Sequence, residues 1–186
     1  MGGLNLSTVQ VPFAITLRNC SIPEVIDLTS TTIGNLDLSG SYTGPIHAGL
    51  INVADSLVLG NGFHAAGRVT LSGAKIGLLS ASAGHFRYLP EPGDYLAAFK
   101  PALVADFKPA LDLNGAQIKG QVFMDRGESQ GAVVLAHAAI GGDLACTSGR
   151  FTNPGNVAIL ALGAEIGGTV YLWGEQPFSG RCNQTI

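Results

Sequence analysis

Charge is scarce in this chain: 12% of its 186 residues are Asp, Glu, Lys or Arg, against about 25% in an average globular protein. Combined with 46% hydrophobic residues, that scarcity excludes a disordered chain, which needs the opposite balance. Cysteine is scarce as well. Cys20, Cys146 and Cys182 are odd in number, lack Cys-x-x-Cys spacing and have no histidine cluster nearby, so neither a disulfide framework nor a zinc knuckle fits them. Free thiols are expected, with Cys146 buried. No window approaches the roughly 18 consecutive apolar residues of a membrane-spanning helix, and Met1–Leu6 has neither the basic nor the apolar region of a secretory signal. A soluble, cytoplasmic protein with no transmembrane segment is the expectation. Ten basic residues against thirteen acidic ones give a net charge of -3, and no basic block tracks a phosphate backbone, so nucleic acid is not expected as a partner.

Glycine, by contrast, is plentiful, with 26 residues. Each interior glycine costs a helix about 1 kcal/mol relative to alanine, which argues against a coiled coil or a helical bundle. The chain must bury much of itself while turning often. At this length a single domain over residues 1–186 is expected.

A repeat organises the turns. With the Ile of each Ile-Gly pair as zero, Ile76 is preceded by Val69, Leu71 and Ala74, and Ile118 by Leu111, Leu113 and Ala116. Ile140 follows Val133, Leu135 and Ala138; Ile166 follows Ile159, Ala161 and Ala164; Ile33 follows Ile26, Leu28 and Thr31. A second alternating pair lies beyond the glycines: Val122/Met124, Leu144/Cys146, Val170/Leu172, Leu36/Leu38 and Leu79/Ala81. Apolar-x-apolar is one strand face with two inward side chains. Val53 supplies a further copy, and four short faces close a coil of roughly 20 to 22 residues that stacks on its neighbours. The predicted fold is all-β, a parallel β-helix. A left-handed hexapeptide coil would put apolar residues six before each zero, where Asp27, Thr70, Asp112, Val134 and Leu160 stand. The five-residue step favours a right-handed, roughly square, pentapeptide-like coil. Fourth faces alternate between Gly40-Ser41-Tyr42, Gly84-His85-Phe86 and Gly149-Arg150-Phe151 on one hand and longer passages such as Gly62–Gly67 and Gly127–Gly131 on the other, suggesting a unit of paired coils.

The pattern Val-x-Leu-x-Gly-Ala-x-Ile-Gly-Gly-x-Leu-x-Cys-x-x-Gly-x-Phe, carried by Val69–Ile76 and Ile140–Phe151, resembles bacterial β-helical repeat proteins distantly similar to pentapeptide-repeat proteins. Some of these carry the label membrane-associated oxidoreductase. The resemblance covers most of residues 1–173 and implies a fold; it carries no catalytic residue, because the motif holds only structural positions. No Rossmann glycine fingerprint or flavin motif accompanies it, and no cofactor is expected.

Four stretches stand apart from the regular repeat. Met1–Leu6 overlays Ile33–Leu38, and Cys182 and Gln184 fall where Val69 and Leu71 would stand, so the chain reads as a segment of a longer solenoid or one whose ends meet partners. Cys20–Ile33 has no firm register. From Ile76 to Ile118 the step is 42 residues, leaving an insertion at 87–109 that holds four of the nine prolines and two of the four tyrosines, Tyr88 and Tyr95. Asp94 as a cap and the stripe Leu96, Phe99, Leu103, Phe107 predict a short helical insertion near 90–108. Excursions at Gly44–Gly49 and Asn153–Asn156 are expected on the same side.

Chemistry is sparse. Histidines 47, 64, 85 and 137 are expected on different faces without metal-ligand spacing, and Asp27, Asp37, Asp112, Asp125 and Asp143 as solvated outward acids. No Gly-x-Ser-x-Gly elbow or phosphate loop is present. No catalytic residue and no metal site is assigned. One outward strip stands out, Phe123, Ala145 and Tyr171 on successive coils beside Val134 and Leu160, able to stack on a sugar or a protein. Phe123, Tyr171, Tyr88 and Tyr95 are the candidate binding residues. The expected function is a noncatalytic β-helical scaffold for protein interaction or self-assembly, through its ends or that aromatic strip. A glycan-binding or glycan-processing β-helix and a pentapeptide-like DNA mimic are the alternatives.

Overall fold

A computed structural model describes residues 3–90 and 108–173. They form a parallel β-solenoid of about 7 turns. Each coil contributes to four ladders. The first face makes a seven-stranded sheet that includes Ile26–Asp27, Val69–Thr70 and Ala132–Val134. The second and third faces share an 11-stranded sheet, because Asn52–Val58 and Lys75–Ser80 run through both, with a bulge between Ile76 and Leu78. The fourth face is six-stranded and includes Tyr42–Thr43, His64–Ala66, His85–Arg87, Glu128–Gln130 and Arg150–Thr152.

Like residues stack on like residues. Ile33 pairs with Val53, Val53 with Ile76, Ile76 with Ile118, and Ile118 with Ile140, and each of these is at most 2% exposed. Burying one such side chain contributes about 1.5–3 kcal/mol, so one ladder of isoleucines is a large share of the core. The backbone ladders join the coils directly, as where Gly141 N–H donates to Ile118 O at 2.8 Å. The glycine after the zero residue has a steric reason: a Cβ on Gly77 would sit 2.1 Å from Asp55 O, and one on Gly141 2.2 Å from Lys119 O.

Two corners of each coil need a left-handed residue. After the first face these are Thr8, Ser30, Leu50, Gly73, Gly115, His137 and Gly163, all with φ between 54 and 65°. After the third face they are Asn19, Gly40, Asn61, Ala83, Arg126 and Ser148. Most of these corners are not glycine. Outward acids support the turns instead of lying free. Asp27 Oδ1 accepts from Thr29 N–H at 3.0 Å, Asp37 Oδ1 from Ser39 N–H at 2.9 Å, and Asp112 Oδ1 from Asn114 N–H at 3.0 Å. Asp125 and Asp143 cap the next coil, accepting from Thr147 N–H at 2.9 Å and Thr169 N–H at 2.7 Å.

The observed register corrects several expectations. Leu4 pairs with Ile26, not with Leu36, so the first described strand belongs to a first face. The Cys20–Ile33 stretch is then regular: Ile22 lies on the fourth face opposite Thr43, and Ile26 opens the next coil. Gly44–Gly49 is no excursion, because Ile46–His47 is a first-face strand. The backbone does not alternate in pairs of coils either; what varies is which slot supplies a phenylalanine. Phe63 enters from the corner before its strand and is followed by Ala65, whereas Phe86 and Phe151 lie on the strand behind Gly84 and Gly149. A Cβ on Gly149 would lie 2.5 Å from the Phe151 ring, and one on Gly84 3.1 Å from that of Phe86. Among the described residues there is no helix; of the helical insertion expected near 90–108, residues 91–107 lie outside them, as do Tyr95, Cys182 and Gln184. Among the described residues no helix is long and apolar enough to cross a membrane.

Candidate functional site

The expected aromatic strip is in register. Phe123 pairs with Ala145 and Ala145 with Tyr171 on the third face, Phe123 half-buried and Tyr171 exposed. Val134 and Leu160 pair with each other on the first face. The ladder of Gln117, Ala139 and Glu165 separates that face from the Phe123 strip, so the two do not adjoin as expected. Tyr88 lies elsewhere again, half-buried beside the fourth face, where the chain leaves the solenoid after His85–Arg87 and returns at Pro109–Asp112.

A richer row lies on the outward side of the fourth face. Tyr42 pairs with His64, His64 with His85, His85 with Glu128, and Glu128 with Arg150. Parallel strands about 4.8 Å apart put these side chains over one another. The rings stack: Tyr42 and His64 have centroids 5.3 Å apart with planes at 23°, and His64 and His85 5.9 Å apart at 21°. His85 Nδ1 lies 3.4 Å from Glu128 Oε2. Two histidines expected on different faces are therefore neighbours. His47, by contrast, stands on the first face between Asp27 and Thr70, and His137 occupies a left-handed corner.

Burial shapes the chemistry of the row. Desolvation holds His64 below the ordinary imidazole range, and the positive potential of His85 and Arg87 adds to it. His64 Nδ1 is buried and has no hydrogen-bond partner among the described residues, which fits a neutral ring. A recess of about 140 Å³ lies along His64, His85, Arg87 and Glu128. A larger cleft of about 380 Å³ continues from it past Arg87 and Glu128 to Lys108, Arg150 and Asn153. Together they make a groove running across the strands.

Among the described residues no three His, Cys, Asp or Glu side chains are grouped to hold a metal ion. Asp27 and Asp112 share the first face but are separated by His47 and Thr70, and Asp37 stands on the third face opposite Val58. The Cys146 thiol is pushed up to about 12 by burial and by the Asp125 charge, leaving it a poor nucleophile. The fourth-face row escapes a reading based on apolar periodicity, because outward positions carry no such pattern; its signal is that Tyr42, His64 and His85, and then Glu128 and Arg150, recur at the length of one coil. No protein-family model, curated protein or solved structure matches the chain.

Proposed function

We propose that this protein is a noncatalytic β-solenoid scaffold, acting in the cytoplasm, that presents the outward side of its fourth face to a protein partner. The supporting observation is the row Tyr42, His64, His85, Glu128, Arg150, held in register on consecutive fourth-face strands. A rigid ladder fixes the spacing of aromatic and charged groups in advance, so binding loses little backbone freedom. Tyrosine and arginine are also the residue types that carry most energy at protein interfaces. The solenoid is taken as right-handed, since strand-to-parallel-strand connections have that hand in about 98% of cases, and its four faces per coil agree with a pentapeptide-like relationship. A photo-activated benzoyl-phenylalanine placed at Tyr42, and in a second preparation at Gln117 on the second face, tests the proposal in extract of the source cells. A discrete protein adduct from the Tyr42 position alone is expected; no adduct, or the same adducts from both positions, overturns it.

A second reading rests on the third face. Phe123 and Tyr171 stand two coils apart, about 10 Å, with the small Ala145 between them, a gap suited to stacking on sugar rings. Saturable oligosaccharide binding abolished by Tyr171→Ala would favour it over the scaffold reading.

A further inference from the structure

The larger cleft on the fourth face gathers cations that no other described residue pairs with. Arg87 ends one fourth-face strand, Arg150 begins another, and Lys108 stands where the chain re-enters the first face. All three are exposed and line the same 380 Å³ space. Among the described residues none of them forms an ion pair or a side-chain hydrogen bond. Among the described residues the one carboxylate on the cleft, Glu128, lies against His85 at 3.4 Å. Three positive groups against one acid, in a chain whose overall charge is -3, is a local reversal of sign.

The wall adds a second, independent feature. Asn153 is 2% exposed and lines the cleft. Its Nδ2 donates to Val157 O at 2.9 Å, while Oδ1 has no donor partner among the described residues. A buried acceptor left unmet is costly. The floor is bare backbone at Gly131, whose φ of +134° and close approach to Lys108 O exclude a side chain. Guanidinium groups bind carboxylates and phosphates through paired hydrogen bonds.

We infer that this cleft is a binding site for a small oxyanion, with Arg87, Lys108 and Arg150 holding the anionic group and Asn153 on the wall beside it. The shared chemistry is the oxyanion, carried by a sugar acid or a sugar phosphate. The site goes beyond the scaffold reading and does not depend on it: a missing protein adduct at Tyr42 leaves the cleft untouched, and a cleft that binds nothing leaves the adduct.

Backbone amide NMR of the full chain at constant ionic strength tests the inference, with D-glucuronate, D-glucose 6-phosphate and uncharged D-glucose as probes. Saturable shifts at Gln130, Gly131 and Thr152 are expected with the charged probes, and the tighter of the two identifies the source of the anion. Glucose should bind at least tenfold more weakly. Arg150→Gln and Lys108→Gln, both at exposed positions that leave the core intact, should each weaken binding at least fivefold without altering the spectrum of distant coils. No saturable shift with either charged probe, glucose binding as tightly, or affinity unchanged in both variants overturns it.

Discussion

Phe63 and Phe86 meet inside the solenoid with ring centroids 5.7 Å apart and planes at 50°, although they come from different slots of adjacent coils. Phe63 precedes its strand and Phe86 lies within the next one. Small residues leave room for the Phe86 ring, Ala65 opposite it on the neighbouring strand and Gly84 beside it on its own. Phe86→Ala should therefore cost about 3–5 kcal/mol. A double-mutant cycle with Phe63→Ala should show coupling of about 0.5–1.5 kcal/mol. Urea denaturation measures both, and a loss under about 1 kcal/mol for Phe86→Ala would mean that the rings do not share a packed core.

Left-handed corners give a prediction of opposite sign. Ala83 has φ of +53°, a conformation that costs a non-glycine residue about 1–2 kcal/mol. Ala83→Gly should stabilise the protein, by up to about 1 kcal/mol after the entropy glycine loses on folding. Gly115→Ala should destabilise it by a similar amount, since φ there is +65° while no atom lies within 4 Å of the added methyl. The pair of denaturation midpoints should move in opposite directions.

Acid should weaken the fourth-face row before it weakens the rest. The folded state holds His64 below the ordinary imidazole range, through burial and then through His85 and Arg87, so the unfolded chain takes up that proton more readily. Stability is complete above a pH of about 6.5 and declines as pH falls from there toward the depressed folded value. His64→Gln should flatten the decline of the urea midpoint between pH 7 and 5. An equal decline in the variant would assign the effect to other groups.

Reactivity separates the cysteines. With its thiol raised to about 12 and its side chain inside the core, Cys146 should resist iodoacetamide at pH 8 for as long as the protein stays folded, while half-buried Cys20 is modified. Peptide mass spectrometry reads the two sites separately. Labelling of Cys146 at the rate of Cys20 in native buffer would contradict the packing of the third face.

The ladder was legible in the sequence because inward positions obey a strict rule. Ile33, Val53, Ile76, Ile118 and Ile140 had to be apolar, and they align as expected. The first coil was misplaced because Val11 is followed by Pro12 rather than glycine, and Leu4-Asn5-Leu6 fits a first face as well as a third. The fourth-face row was missed for a different reason. Tyr42, His64 and His85 point outward, where packing imposes no residue type, so their alignment emerges only once the coil length is fixed strand by strand. Phe123 and Tyr171 fall in the expected register because both belong to the easily aligned third face.

Spin labels at Tyr42→Cys and Arg150→Cys, with Cys20 and Cys182 replaced by serine, test the in-register row most directly. Four strand steps separate the two sites, or about 20 Å at 4.8 Å per step. The account predicts a single narrow distance distribution centred near that value in a double electron–electron resonance measurement. A broad distribution, or a peak beyond about 30 Å, would mean that Tyr42, His64, His85, Glu128 and Arg150 do not form one face.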